Sequence, residues 1–367
     1  MPKQVSIKVW ESELPMKILY LYAEVMGYTM ATIKELVNQG AEVHVVSWSE
    51  KKKTDYQAVE VPGVTFYGKD SFGKNALIDL ATALDPAITV VSGWMDRDYL
   101  SVAAALRRMR KLVVCGLDGQ WHGTARQRLA GALGSVGYFD RYYSHVWVAG
   151  VWQYEYARRL GFKRSQIVYD LLSADLEKFS KRLDSTVSSH TSQYPHRFIF
   201  VGRLEAVKGL DILLAAWSHL GARRGDWELL IIGSGSMRTL VSNAEGVFFK
   251  DFLQPEQLSQ ERANAGCFVL PSRREPWGVV VHEFAAAGLP ILASDVVGAA
   301  STFVIDGYNG FIFQPESVMA LRGKLEKIIA CSDDELRMMG RRSHELSSRI
   351  TPQTSAANLL SVIDRQS

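Results

Sequence analysis

The feature that most constrains this chain is the recurrence of short apolar, β-branched runs, each followed by a stretch of helical period. In the first half the runs are Ile18–Ala23, Val43–Trp48, Ile88–Val91, Leu112–Cys115 and Val146–Ala149. In the second half they are Phe198–Val201, Leu229–Ile232, Phe268–Leu270 and Ile291–Ala293. They are continuously apolar rather than alternating, as strands buried on both faces must be. Strands alternating with helices predict parallel sheets covered on both faces, an α/β architecture. No fixed-period repeat is present, which argues against a solenoid.

A chain of 367 residues has room for two such units. Ser180–His196 is polar, rich in Ser and Thr, and without period. It reads as a linker or long loop between two doubly wound domains. The expected division is an N-terminal domain over residues 1–175, a linker over 176–196 and a C-terminal domain over 197–350. In open parallel sheets ligands sit beyond the carboxyl ends of the strands, so two such domains would face each other across a cleft.

Composition excludes several classes. No run of about 18 apolar residues occurs, so no transmembrane helix is expected. The first fifteen residues carry Lys3, Lys8, Glu11 and Glu13 and lack the apolar core of a secretory signal. They are expected to be a loose extension or a misassigned start ahead of Met16. Cys115, Cys267 and Cys331 are scattered and odd in number, which argues against a disulfide framework or a zinc site. A reducing cytoplasm is the simplest compartment. Residues 1–190 hold 24 Lys and Arg against 20 Asp and Glu, an excess too mild for a dedicated nucleic-acid binder.

The sharpest chemical signals follow the strands of the second half. Phe198–Val201 ends in Gly202 and Arg203, and Lys208 follows where a helix opens. Two cations beside a helix N-terminus make an anion site, with two solvated loop cations as the alternative. Ile231-Ile232-Gly233-Ser234-Gly235 begins like a dinucleotide fingerprint, but Arg238 stands where its third glycine would fall. A tight turn that brings backbone against a ligand or a helix is the other reading of these glycines. After Leu270 come Pro271, Ser272, Glu275, Trp277, Gly278 and Glu283. Carboxylates in the loop and on the helix could hold two sets of hydroxyls. The free amides from Trp277 to Val280 could hold a phosphate between them.

Taken in order, these motifs resemble the donor-binding domain of a retaining glycosyltransferase of family 4, with the GT-B fold. The resemblance covers Phe198 to about Pro315. It includes Gly202-Arg203 with Lys208, Gly233-Ser-Gly235, Glu275 and Glu283 eight apart, Ala286-Ala287-Gly288-Leu289-Pro290, and Asp306-Gly307-Tyr308-Asn309-Gly310. It implies two Rossmann-like domains facing a cleft and transfer of a sugar from a nucleotide diphosphate sugar with retention. Arg203 and Lys208 would neutralise the diphosphate, Glu275 would lie by the donor sugar, and Glu283 would take the ribose hydroxyls. Gly202, Gly233, Gly235 and the amides of Trp277, Gly278 and Val279 would complete the donor cradle. The resemblance implies no cofactor and no metal. It also implies that the last helix, about 351–367, packs back on the first domain. Two positions depart from the family pattern. Gly298-Ala299-Ala300-Ser301-Thr302 replaces its Gly-Gly and acid, and Trp277 replaces a commoner Phe.

The first half resembles the family's acceptor domain less closely. Gly27, after the first strand, is the candidate for backbone approach to the donor phosphates, with Gly40 as an ordinary loop glycine. Asp118 and His122 follow Leu112–Cys115, and either could orient the acceptor hydroxyl or accept its proton. A surface loop with a capping Asp is the alternative. Asp96-Arg97-Asp98 reads better as a helix cap than as a metal-binding triplet. Arg107, Arg108, Arg110, Lys111, Arg126 and Arg128, with Tyr138, Tyr142, Trp147 and Trp152, suit either a solvated basic face beside an aromatic core or a membrane surface.

The expected partners are a nucleotide-sugar donor and a glycan or lipid-linked acceptor, in a surface polysaccharide or glycolipid pathway at the cytoplasmic side of a membrane. A nucleotide-sugar epimerase of the same fold is one alternative. A catalytically idle subunit that binds a sugar nucleotide or glycan is another.

Overall fold

The structure is a computed structural model, and it describes residues 15–48, 61–180 and 194–365. The proposed N-terminal extension and most of the interdomain linker lie outside the described residues.

The first half forms a seven-stranded sheet. Its strands are β1 (Met16–Tyr22), β2 (Ala41–Ser47), β3 (Val64–Gly68), β4 (Ile88–Val91), β5 (Leu112–Leu117), β6 (His145–Val148) and β7 (Ile167–Val168). They lie in the order β3-β2-β1-β4-β5-β6-β7, and the pairings are parallel. The second half forms a six-stranded sheet from β8 (Arg197–Val201), β9 (Glu228–Ile232), β10 (Val247–Lys250), β11 (Cys267–Leu270), β12 (Ile291–Ser294) and β13 (Gly310–Phe313). Its order is β10-β9-β8-β11-β12-β13, again parallel. Central strands are buried along their whole length, as in Ile88–Val91 and Cys267–Leu270, which accounts for their unbroken apolar sequence.

Each sheet reverses its strand order once, between β1 and β4 in the first and between β8 and β11 in the second. Such a switch point leaves a crevice at the carboxyl ends of the strands. The loops after β1 and β5 and those after β8 and β11 carry most of the residues singled out from sequence.

The chain crosses between the two halves a second time. The helix Pro352–Asp364 starts from a Thr351 capping box with Pro352 in its first turn. It packs against the first-half helix Gly27–Asn38, where Thr32 Oγ1 donates to Ser355 Oγ at 3.2 Å. Ser355 donates in turn to Asp170 O, and Asn358 to Asp170 Oδ2.

Asp96 caps the helix Arg97–Arg108. Its Oδ1 accepts from the amides of Asp98 and Tyr99 at 2.9 and 3.1 Å, and Lys69 bridges Asp96 and Asp98. The acidic triplet is thus occupied in starting a helix. Trp147 is buried in the core, and Arg141 lies over the rings of Tyr138 and Tyr142. Lys111 pairs with Asp85.

Candidate active site

The loops after β8 and β11 are joined by an ion pair. Lys208 ends the short turn Ala206–Lys208, and its ammonium donates to Glu275 Oε2. Both side chains are nearly sealed, 13% and 11% exposed. Ser272 Oγ adds a hydrogen bond to the same carboxylate oxygen at 3.2 Å. Sequence reading gave Lys208 and Glu275 separate ligands. The structure brings them onto each other. Arg203 differs, being exposed. No hydrogen bond or ion pair joins its guanidinium to another of the described residues.

Backbone packing explains the glycines. Gly233 has φ +153°, and a Cβ there would fall 1.9 Å from Gly202 O. A Cβ at Gly235 would fall 2.6 Å from Leu204 O. These residues press the loop after β9 onto the loop bearing Arg203. The close approach they permit is to backbone carbonyls of that neighbouring loop. Gly27 opens the helix Gly27–Asn38 after β1.

Gly278, at φ +87°, is the N-cap of the helix Val279–Ala286, which carries Glu283. A Cβ at Gly278 would fall 2.9 Å from Glu275 Cγ, so glycine lets the helix start directly beneath that carboxylate. The amides of Val279 and Val280 stand in the unpartnered first turn of this helix, and the Val281 amide donates to Gly278 O. The ring of Trp277 is buried and meets Phe303 edge-on. Glu283 is half-buried, and loss of solvent pushes its carboxyl up to about 7 against the pull of Arg262 and Lys178.

Asp118 enters from the first half. It lines a cavity of about 500 Å³ with Tyr22, Glu24, Tyr28, Trp94 and Tyr156. Its side chain opens onto that cavity, yet the surrounding protein strips enough solvent to raise its carboxyl above the ordinary range, and the charge of Glu275 adds to the rise. Tyr28 is raised by burial and then by the charges of Asp118 and Glu283. The charge of Glu275 thus reaches Asp118 across the cleft, and the charges of Asp118 and Glu283 both reach Tyr28.

His122 is not part of this group. It lies on a neighbouring hollow with Trp121, Trp152 and Arg274. Partial burial and then the Arg274 charge lower its basicity. Among the described residues no group of three or more His, Cys, Asp or Glu side chains could hold a metal ion. No helix among them is long and apolar enough to cross a membrane.

Residues not singled out from sequence complete the cleft. Gln120 and Gln153, both from the first half, donate to backbone carbonyls of the loop bearing Glu275. Their signal in the sequence is position alone, since each follows the carboxyl end of a strand.

Comparison with known proteins places this arrangement. Residues 187–345 match the family Glycosyl transferases group 1. The match covers less than half of the chain. The chain is 30% identical over 164 residues to a glycogen synthase of Mycobacterium tuberculosis. It is 30% identical over 147 residues to the capsular polysaccharide biosynthesis glycosyltransferase CapM of Staphylococcus aureus. These matches cover 43% and 38% of this chain, and the chain spans only 38% and 37% of the length of those relatives.

Solved structures extend the likeness to the whole fold. A sucrose-phosphate synthase from Thermosynechococcus elongatus superposes with a TM-score of 0.71 over 96% of this chain and 99% of its own, at 17% identity. Anabaena Alr3699/HepE in complex with UDP superposes with a TM-score of 0.70 over 95% of this chain and 100% of its own, at 15% identity. The fold is therefore GT-B. The group 1 match lies in the half that carries Lys208, Glu275 and Glu283.

Proposed function

We propose that the protein is a retaining glycosyltransferase that moves a sugar from a nucleotide diphosphate sugar to a glycan or lipid-linked acceptor, in surface polysaccharide or glycolipid biosynthesis. The observation that carries this reading is the Lys208–Glu275 pair, set between the switch-point loops of the second sheet and facing Asp118 of the first. An incoming donor exchanges one internal ion pair for two useful contacts. The ammonium turns to the diphosphate and the carboxylate to sugar hydroxyls.

Arg203 and the first turn of the helix Val279–Ala286 add positive potential where charge builds on the leaving group. Glu283 accepts from the ribose hydroxyls. The acceptor oxygen, oriented by Asp118, bonds to the anomeric carbon on the face from which the diphosphate departs. The bond from that carbon to the diphosphate oxygen breaks, and the acceptor proton passes to a departing phosphate oxygen. Closure of the two halves keeps water from taking the acceptor's place. The UDP and UDP-glucose held by Anabaena Alr3699/HepE support a nucleotide-sugar donor. The exposed Leu129, Leu133 and Val136, beside Arg126 and Arg128, support peripheral contact with an anionic membrane.

A thermal-shift panel of UDP-, GDP-, ADP- and CMP-sugars with wild type and Arg203→Ala tests the reading. A ligand at 100 times its dissociation constant adds about 2.7 kcal/mol to stability. A shift for one nucleotide class that disappears in the variant is the expected result. Silence from every class, with a glycan acceptor present, would reject it.

A further inference from the structure

Gln153 lies in the first turn of the helix Val151–Arg159 and is fully buried. Its Nε2 donates to Asp118 O at 2.9 Å and to Pro276 O at 2.6 Å. One side-chain amide therefore spans the gap between the two halves of the protein. One acceptor belongs to the residue that brings the first-half carboxylate into the cleft. The other belongs to the residue after Glu275. Two carbonyl acceptors fix the amide's orientation, because the flipped form would set oxygen against oxygen. Gln120 donates to the same Pro276 O at 2.9 Å and to Glu275 O at 3.2 Å.

The contact is close as well as polar. A Cβ on Gly150 would fall 2.5 Å from Cζ3 of Trp277 and 3.6 Å from Oε1 of Gln153. The indole of the donor loop and the amide of the acceptor half thus meet over one glycine. Among the described residues, Gln153 Oε1 and Trp277 Nε1, a buried acceptor and a buried donor, find no hydrogen-bond partner. A buried polar side chain costs more than an apolar one unless its hydrogen bonds repay the cost. Gln153 spends both its donors on joining these two loops.

We propose that Gln153 is a positioning residue that sets the separation of the Asp118 and Glu275 carboxylates by clasping the loops that carry them. The proposal rests on the functional reading above, and it makes Gly150 a spacer required for the clasp. Gln120 reinforces the donor-loop end, where loss of its amide still leaves Pro276 O held.

The test compares wild type, Gln153→Met and Gln120→Met in release of UDP from UDP-glucose, together with hydrogen exchange of residues 116–123 and 272–279. Misplacing reacting groups by about 1 Å costs on the order of 100-fold in rate. Gln153→Met is accordingly expected to lower kcat about 10- to 100-fold with KM for UDP-glucose changed less than about threefold. Exchange should rise in both loops together while β9 stays protected. Gln120→Met should show a smaller fall of the same kind. A Gln153→Met enzyme with kcat near wild type, or with exchange raised in one loop alone, overturns the proposal. If wild type releases no UDP, the failure belongs to the donor assignment, and the paired exchange readout decides the clasp by itself. If Gln153→Met does not fold, Gly150→Ala opens the same contact from the other side and must give the same paired rise.

Discussion

The ammonium of Lys208 donates to Glu275 Oε2 and so closes the crevice of the second sheet across its switch point. Lys208→Met removes one partner and leaves a nearly buried carboxylate without its counter-charge. Such a loss costs about 3 kcal/mol, while removing both partners costs less than the sum of the single changes. Chemical denaturation of Lys208→Met, Glu275→Gln and the double variant measures the coupling. Additive losses would mean that the pair does not act as a unit.

Asp118 and His122 make separable predictions because they line different hollows. Asp118→Asn is expected to lower transfer by about 100- to 10,000-fold, the range of a lost proton-handling group. His122→Asn should stay within about tenfold of wild type. Steady-state kinetics on the donor identified by thermal shift would separate them, and the reverse ranking would move the role to His122.

Glu283 gives stability a pH signature. Its folded carboxyl titrates near 7, above its ordinary value near 4.5. The folded state therefore holds this proton more tightly than the unfolded state, so its contribution is fully present below about 4.5 and is lost as pH rises toward 7. Glu283→Gln should remove that slope and leave the variant more stable than wild type at pH 8, by on the order of 3 kcal/mol. Urea titrations at pH 5 and pH 8 supply the comparison. Equal differences at the two pH values would place the charge outside the stability balance.

Gly233→Ala must move a backbone carbonyl 1.9 Å away at φ +153°. We expect a loss of about 3 kcal/mol or a failure to fold. Gly73→Ala is the control, since nothing lies within 4 Å of its Cβ position and its φ is −71°. Its melting temperature should match a change within about 0.5 kcal/mol.

The strands that could be read from sequence are those buried on both sides. The strands that escaped, Val64–Gly68, Ile167–Val168, Val247–Lys250 and Gly310–Phe313, are the edges of the two sheets, where a strand is short or mixes polar and apolar positions. Lys208, Glu275 and Glu283 were legible because strand ends and helix starts fix where such groups lie. The Lys208–Glu275 contact was not, since it depends on how two loops 67 residues apart lean together. Gln153 was less legible still. Its acceptor at Pro276 lies 123 residues away and belongs to the other half of the protein.

The helix Pro352–Asp364 bears on how this protein can be recombined. It follows the second sheet in the chain, yet it packs on Gly27–Asn38 and bonds Asp170 of the first half. A hybrid that grafts this first sheet onto a foreign second half, with a single crossover between residues 180 and 194, would leave that helix behind. The first half would then expose the surface around Thr32 and Asp170. A working exchange needs two junctions, one on each side of the second half, so that the second half travels as an insert within the first.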